Sequence, residues 1–307
     1  MTEPERDVYG AGGEVALLEK EVAELLGKPA AVFLPTGVMA QQAVLRTYAD
    51  RSGSKRIAMH GLAHPLVHEL NALEEVHGLR PERMTTELRQ PRPDELAAIP
   101  GKLAAVMLEL PLRDAGFVLP SWDELIVFAE ACAERDVPLH LDGARLWEST
   151  PYFGHDLAEV AALATTVYVS FYKGLGGMAG AALAGPEDIV QEVRRWQRRL
   201  GGNLFTLLPY AVSAREGLRT VLPKMGEFHQ RAVELAEALV NKGFRVFPER
   251  PHCNSFRLFA PIPPPSGARW RPADVPGWSW TEVVVTSSTL QRSVSETVAD
   301  FAELLDG

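Results

Sequence analysis

The feature that most constrains the fold is a repeated alternation of short apolar segments with longer amphipathic ones over residues 15–185. Amphipathic segments of this kind predict helices with one apolar face, and short apolar segments predict buried strands. Such strands are typical of parallel sheets that helices cover on both sides. The strand-like segments are 30–37, 56–60, 104–110, 138–145, 165–174 and 177–185. We therefore predict an α/β fold built on a mostly parallel sheet.

The C-terminal part of the chain follows a different pattern. Residues 187–242 are strongly helical, and two strand-like segments follow them. Residues 260–277 are rich in Pro and Gly and predict a loop. A last strand-like segment precedes a helix predicted over 293–305. We predict a large domain of residues 1–220 and a small C-terminal α+β domain of residues 221–307.

Composition excludes several classes of protein. Hydrophobic residues make up 46% and charged residues 23% of the chain, as in a globular protein with a sizeable core. The net charge of −9 argues against a general binder of nucleic acid or of anionic membranes. The polar N-terminal sequence and the lack of a long apolar run predict neither a signal peptide nor a transmembrane helix, so we expect a cytoplasmic protein. Two cysteines, Cys132 and Cys253, cannot build a disulfide framework.

Two of the strand-like segments end in residues that suit catalysis. HLDGAR carries Asp142 and Arg145 directly after an apolar strand, although a strand end followed by a turn is the ordinary interpretation. SFYKGLGG places Lys173 at the end of another strand, where a lysine is usually a solvated charge. Three glycines follow Lys173, and glycines packed around a side chain indicate close backbone approach. A surface lysine does not need that approach.

Two further segments could bind a ligand. PTGVMAQQ contains Thr36 and Gly37 between a strand and a helix, where free amide groups at the helix N-terminus would face a phosphate. A generic strand-to-helix turn is the common alternative. His64 and His68 are four residues apart, a spacing that could hold a metal. No further ligand motif follows them, so we predict no metal site.

Taken together, these segments resemble the low-specificity threonine aldolases and aromatic amino acid β-eliminating lyases, a family of pyridoxal-phosphate enzymes of fold type I. The resemblance covers roughly residues 7–215 and is carried by DVYG, FLPTG, AH at 63–64, HLDGAR, KGLG and RRWQRRLGG. It implies pyridoxal 5′-phosphate as cofactor and an amino acid as substrate. It also implies a mostly parallel seven-stranded sheet, a smaller C-terminal α+β domain, and a homodimer or homotetramer.

The resemblance implies three catalytic residues. Lys173 would bind the cofactor as a Schiff base, because its amine condenses with the cofactor aldehyde. Asp142 would face the pyridine nitrogen and keep it protonated, which makes the ring a better electron sink. His64 would stack on the ring and serve in proton transfer.

The resemblance also implies binding residues. Thr36, Gly37 and Val38 would bind the cofactor phosphate. Arg145 would reach the phenolic oxygen of the cofactor or the substrate carboxylate, for which a guanidinium offers two parallel donors. Tyr9 and Arg198 are further candidates near the phosphate, contributed across a subunit interface.

Several positions depart from the family pattern. Leu112 replaces the histidine that the family associates with the substrate β-hydroxyl. Residues 204–206 read Leu-Phe-Thr where the family has an arginine. The C-terminal arginine that would clamp the α-carboxylate is missing, and Glu282 lies in that stretch. We expect Arg113 to compensate in part as a substrate-binding residue.

These departures affect the reaction rather than the cofactor. We predict a lyase that cleaves the Cα–Cβ bond of a β-hydroxy amino acid or eliminates a β-substituent. Leu112, Phe171 and Phe205 would suit a bulky, apolar side chain on the substrate. The alternatives are an aminotransferase, because the same electron sink supports transamination, and a pyridoxal-phosphate-binding protein without turnover.

Overall fold

The computed structural model describes residues 4–264 and 269–306 of the chain. The helices are α1 (Gly13–Leu25), α2 (Gly37–Ser52), α3 (His64–Val67), α4 (Ala72–His77), α5 (Pro93–Ala97), α6 (Trp122–Glu134), α7 (Thr150–Phe153), α8 (Leu157–Ala162), α9 (Glu187–Arg199), α10 (Leu208–Thr220), α11 (Met225–Val240) and α12 (Val294–Asp306). The strands are β1 (Ala30–Leu34), β2 (Arg56–Met59), β3 (Arg80–Arg83), β4 (Ala105–Glu109), β5 (Leu139–Gly143), β6 (Thr166–Ser170), β7 (Ala181–Gly185), β8 (Arg245–Phe247), β9 (Ser255–Ala260), β10 (Arg271–Pro272) and β11 (Ser279–Val284). None of these helices is long and apolar enough to cross a lipid bilayer.

Seven strands form the main sheet, in the order β1-β7-β6-β5-β4-β2-β3. Strands β3, β2, β4, β5 and β6 pair in parallel, which confirms the prediction of a mostly parallel seven-stranded sheet. Strand β7 instead runs antiparallel to both β6 and β1. The connection between β6 and β7 contains no helix, and a parallel return would need a longer crossover.

The two faces of this sheet pack against different helices. On one face, side chains such as Leu141 and Val167 join a core with α1 and α6. On the other face, Leu34 and Tyr168 pack in a core with residues of α2 and α9. Because successive side chains of a strand alternate between faces, Asp142 lies on the α2 face, opposite to Leu141.

A second sheet of four antiparallel strands, in the order β10-β11-β9-β8, lies in the C-terminal part of the chain. Strand β10 lies inside the segment 260–277, which the sequence predicts to be a loop, so that prediction is wrong for residues 271–272. Residues 265–268 of the predicted loop lie outside the described residues. Residues 271–272 pair with β11 although they include a proline, which an edge strand tolerates. The domain boundary near residue 220 stays a prediction, and α10 ends there.

Candidate active site

The carboxyl ends of three neighbouring strands bring polar side chains together. Asp142 on β5 pairs in register with Glu109 on β4 and with Tyr168 on β6. All three residues are buried, and their side chains share the α2 face of the sheet. In open α/β sheets, ligands bind beyond the carboxyl ends of the strands. This edge is therefore the candidate active site.

Asp142 is a buried carboxylate without a cation in contact among the described residues. Its Oδ1 accepts a hydrogen bond of 3.1 Å from the backbone N–H of Ala144. Burial raises the pKa of Asp142, and the positive charges of Lys173 and His64 oppose that rise. Burying an unpaired carboxylate is unfavourable, so this position calls for a proton donor or a cation.

Lys173 lies in the turn that follows β6. Its side chain is half-buried, and its Nζ makes neither a hydrogen bond nor an ion pair with the described residues. A Cβ added to Gly174 would lie 2.0 Å from Oε1 of Glu148, and one added to Gly177 would lie 2.8 Å from the carbonyl oxygen of Phe171. These distances confirm that the glycines after Lys173 permit close approach. The amine is therefore free of hydrogen bonds and ion pairs, and it lies 5.8 Å from the ring centroid of Tyr172 in a crowded turn.

His64 begins α3 and is fixed by two carboxylates. Its backbone N–H donates to Oε2 of Glu109 at 2.8 Å, and its Nδ1 lies 3.0 Å from Oε1 of Glu69. The hydrogen bond with Glu69 raises the pKa of His64. The other carboxylate oxygen of Glu109 accepts the backbone N–H of Arg113 at 3.1 Å. Burial and the charge of Asp142 raise the pKa of Glu109 to about 8.

Glu109 and Glu69 are site residues that the sequence alone did not indicate. The alternation of β4 could have identified Glu109, since it ends a strand next to the one that carries Asp142. No local signal identifies Glu69, whose contact with His64 depends on the turn after α3. Glu148 was also missed; it is fully buried beside the Lys173 turn.

The predicted phosphate cradle lies at the N-terminus of α2. The hydroxyl of Thr36 caps this helix by accepting the N–H of Met39 at 3.2 Å. The first N–H groups of a helix, here those of Gly37 and Val38, have no acceptor within the helix. A Cβ on Gly37 would lie 1.9 Å from the hydroxyl oxygen of Tyr168, so only glycine fits at this position.

Arg145 and Arg113 are both held by carboxylates. Nη1 of Arg145 lies 3.3 Å from the carboxylate of Glu148, while its buried Nε has no hydrogen-bond partner among the described residues. Burial is the largest single effect and lowers the pKa of Arg145, but the charge and hydrogen bond of Glu148, together with the nearby Cys253 and Glu282, raise this pKa overall. Nη2 of Arg113 donates to Oε2 of Glu282 on β11 at 2.9 Å. Arg113 thus joins the main sheet to the C-terminal sheet at the candidate site.

His64 and His68 do not share a ligand. Nε2 of His68 lies 2.6 Å from Oδ2 of Asp114, whereas His64 contacts Glu69. The two imidazole rings are 5.1 Å apart, centroid to centroid. Within residues 4–264 and 269–306, no group of three or more metal-ligating side chains is arranged to hold a metal ion.

Two of the apolar residues expected to face the substrate do not do so. Phe171 is fully buried and packs against Phe33 and Trp147, because it continues the strand alternation onto the face away from α2. Leu112 is also fully buried, in a small core with residues such as Val118. The prediction that these two side chains line a substrate pocket is wrong for this chain.

The remaining candidates lie at the surface. Phe205 is 54% exposed and packs edge-on against Tyr9, with 5.4 Å between the ring centroids. Tyr9 and Arg198 are also exposed. None of the three is buried in the site within one chain.

The described residues fit pyridoxal 5′-phosphate. A protonated ring nitrogen would supply the cation that buried Asp142 lacks, the free amine of Lys173 can bond an aldehyde, and the N-terminus of α2 at Gly37 suits a phosphate. With the order and direction of the seven strands, these groups define the class of the protein. It is a pyridoxal-phosphate enzyme of fold type I.

The chain belongs to the beta-eliminating lyase family, whose sequence profile it matches over residues 2–259. Enzymes of this family are pyridoxal-phosphate-dependent lyases, which confirms the cofactor and the enzyme class expected from the sequence. The low-specificity L-threonine aldolase of Escherichia coli K12 is 29% identical over 243 residues, covering 77% of this chain and 72% of that enzyme. The low-specificity L-threonine aldolase 1 of Arabidopsis thaliana is 27% identical over 257 residues, covering 80% and 71%.

A solved structure extends the similarity to the C-terminal sheet. A candidate L-allo-threonine aldolase from Listeria monocytogenes superposes with a TM-score of 0.92 at 36% sequence identity. The match covers 97% of this chain and 88% of that one. The similarity therefore includes the part of the chain where the sequence resemblance grows faint.

Proposed function

We propose that this protein cleaves the Cα–Cβ bond of a β-hydroxy amino acid and releases glycine and an aldehyde. The observation that carries the proposal is the free amine of Lys173 close to the unpaired, buried carboxylate of Asp142, in a chain related to threonine aldolases. Pyridoxal phosphate, when bound, supplies an electron sink for the pair released at Cα. The protein must bind, orient and deprotonate the substrate.

Each catalytic residue has a role that follows from its surroundings. Lys173 would hold the cofactor through Nζ and would give way to the substrate amine. Asp142 would pair with the pyridine nitrogen of a bound cofactor, whose positive charge would offset the cost of burying the carboxylate. His64 would pack against the ring of a bound cofactor, and its contact with Glu69 fixes the orientation of the imidazole.

The roles of the binding residues also follow from their surroundings. Thr36, Gly37 and Val38 hold the phosphate at the N-terminus of α2, where backbone N–H groups and the helix dipole favour an anion. Arg145 holds the substrate carboxylate, for which its buried and unpartnered Nε is a ready donor. Arg113 would assist by releasing Glu282 and binding the substrate carboxylate instead.

A panel of amino acids tests this function directly. We expect aldehyde release, at a rate above that with alanine, from at least one of threonine, allo-threonine and phenylserine. Alanine is the matched control because it lacks the β-hydroxyl whose loss of a proton starts the cleavage. The measurement is steady-state aldehyde formation by the purified protein loaded with cofactor.

The same assay separates the alternatives. β-Elimination would release a keto acid and ammonia from an amino acid with a β-leaving group, and an aminotransferase would need a keto acid as acceptor. A protein without turnover would release none of these products. If no β-hydroxy amino acid gives aldehyde, the proposed cleavage is wrong.

We also propose a homodimer or a homotetramer in which the partner completes each site. Exposed apolar side chains lie near the cradle: Val8, Tyr9, Val38, Leu204 and Phe205. The segment that carries Phe205 reaches α2, since a Cβ on Gly202 would lie 2.2 Å from the sulfur of Met39. Exposed apolar surface of this kind marks a protein–protein interface. The partner could then bring Tyr9 or Arg198 to the phosphate.

A charge in this patch should weaken the assembly. We expect Phe205→Asp to lower the mass measured by sedimentation to that of one chain and to weaken cofactor binding. Val240→Asp, at an exposed apolar residue at the end of α11, is the control and should leave the mass unchanged. An unchanged mass for Phe205→Asp would contradict this interface.

We further propose a cytoplasmic location. Cys132 and Cys253 are both free and buried, as in proteins of a reducing compartment. Detection of the native protein in a membrane or secreted fraction after cell fractionation would contradict this location.

A further inference from the structure

A second imidazole–carboxylate pair lies beside the candidate site. Nε2 of His68 is 2.6 Å from Oδ2 of Asp114, and the two side chains are 32% and 13% exposed. Nδ1 of His68 has no hydrogen-bond partner among the described residues. An imidazole with one nitrogen on a carboxylate and the other free has the arrangement of a general base.

Contacts with two residues of the candidate site place this pair beside it. The ring of His68 is 5.1 Å from that of His64. Nη1 of Arg113 lies 3.4 Å from Nε2 of His68, and the backbone N–H of Arg113 donates to Glu109. The carboxylate of Asp114 is closer to the imidazole than this guanidinium is, so the negative charge dominates.

Cleavage of the Cα–Cβ bond needs a group that takes the proton of the β-hydroxyl. Where the family has such a histidine, this chain has Leu112, which is fully buried. We propose that His68 is the catalytic base for the β-hydroxyl and that Asp114 is its positioning residue. This assignment rests on the proposed aldol cleavage, and it names the residue of this chain that starts it.

The step balances as a proton transfer coupled to bond cleavage. Nδ1 of His68 takes the hydroxyl proton, and the O–H electron pair forms the C=O bond of the aldehyde. The Cα–Cβ bond breaks, and its electron pair stays on Cα. Cα then takes a proton from another group, glycine leaves, and His68 releases the hydroxyl proton to solvent. Asp114 stabilises the positive charge that His68 carries in between, as a carboxylate does for a catalytic histidine.

The experiment compares His68→Gln with a matched histidine elsewhere. His155 pairs with Glu159 through Nδ1 at 3.2 Å and is 31% exposed, so His155→Gln removes a similar pair away from the strand ends. Each cofactor-loaded variant is assayed for aldehyde release from the best substrate of the panel. Exchange of the α-hydrogens of glycine with deuterated solvent, followed by NMR, is measured alongside. Glycine has no β-hydroxyl, so its exchange does not use the base.

We expect His68→Gln to lower kcat for aldehyde release on the order of 100-fold, a typical contribution of a general base. KM, the visible band of the cofactor and glycine exchange should stay close to those of the unmodified enzyme, and imidazole in solution should restore part of the cleavage. Asp114→Asn should lower kcat less, with KM unchanged. His155→Gln should behave as the unmodified enzyme.

Two outcomes would overturn the assignment. Cleavage by His68→Gln at the normal rate would mean that another base acts. An equal loss of cleavage and glycine exchange would mean that His68 only supports the structure of the site. In both cases the unmodified enzyme still releases aldehyde. A failure of the proposed function is different, because the unmodified enzyme would then release none, and the base would have no reaction to start.

Discussion

Lys173→Ala is expected to abolish the visible absorption of the purified protein at about 420 nm and to lower turnover by at least about 10³-fold. The band arises from the covalent link between the lysine amine and the cofactor, which alanine cannot form. The substrate amine would also have no lysine to displace. No amine at this position could carry a proton to or from Cα. The measurement is one absorption spectrum and one steady-state assay.

Lys20→Ala is the control for this change. Lys20 lies on α1, is 75% exposed and pairs only loosely with Glu24, so its loss should change neither the band nor the rate. A second check adds cofactor in excess to Lys173→Ala, because the phosphate cradle is intact and should still hold it without a covalent bond. An unchanged band in Lys173→Ala would mean that another amine holds the cofactor.

The parts of the site that the sequence predicts are those fixed by local geometry. Asp142 ends a strand, and Lys173 follows the next strand of the chain; parallel neighbours bring their carboxyl ends to the same edge. Thr36 and Gly37 are fixed by the start of α2. In each case a short segment determines both the element and the residue at its end.

The parts that the sequence does not predict depend on contacts between distant segments. Glu109 binds the backbone of His64 across 45 residues, and His68 meets Asp114 across 46. No regular spacing in the sequence indicates contacts between residues so far apart in the chain. The direction of β7 is another example, since it depends on whether the preceding loop crosses the sheet or turns back.

Phe171 illustrates an error of a different kind. Its apolar side chain suggested a residue that suits a bulky substrate, but the alternation of β6 directs it to the opposite face of the sheet. Position along a strand is therefore a better guide to a ligand contact than side-chain type alone. By the same rule, Glu109 could have been assigned to the site and Phe171 excluded from it.

The second large effect is expected for Asp142→Asn, which separates the electronic role of this residue from cofactor binding. Lys173 remains, so the protein should still bind pyridoxal phosphate and keep a visible band. The neutral amide cannot hold the pyridine nitrogen in its protonated form, so kcat should fall by about 10²- to 10⁴-fold. Asp50→Asn, at an exposed aspartate of α2 that pairs with Arg46, is the control and should keep full activity.

Asp142→Asn lowers kcat, but we expect it to raise the stability of the cofactor-free protein or leave it unchanged. Burial raises the pKa of Asp142 in the folded chain above its unfolded value. A carboxyl group with a raised pKa supports folding below its unfolded pKa, and that support is lost as pH rises through the folded pKa. At neutral pH the apoprotein of the Asp142→Asn variant should therefore be at least as stable to urea as the unmodified apoprotein, and the difference should shrink toward about pH 4. A variant that loses stability together with activity would contradict this separation, because Asp142 would then be a structural residue rather than the partner of the cofactor nitrogen.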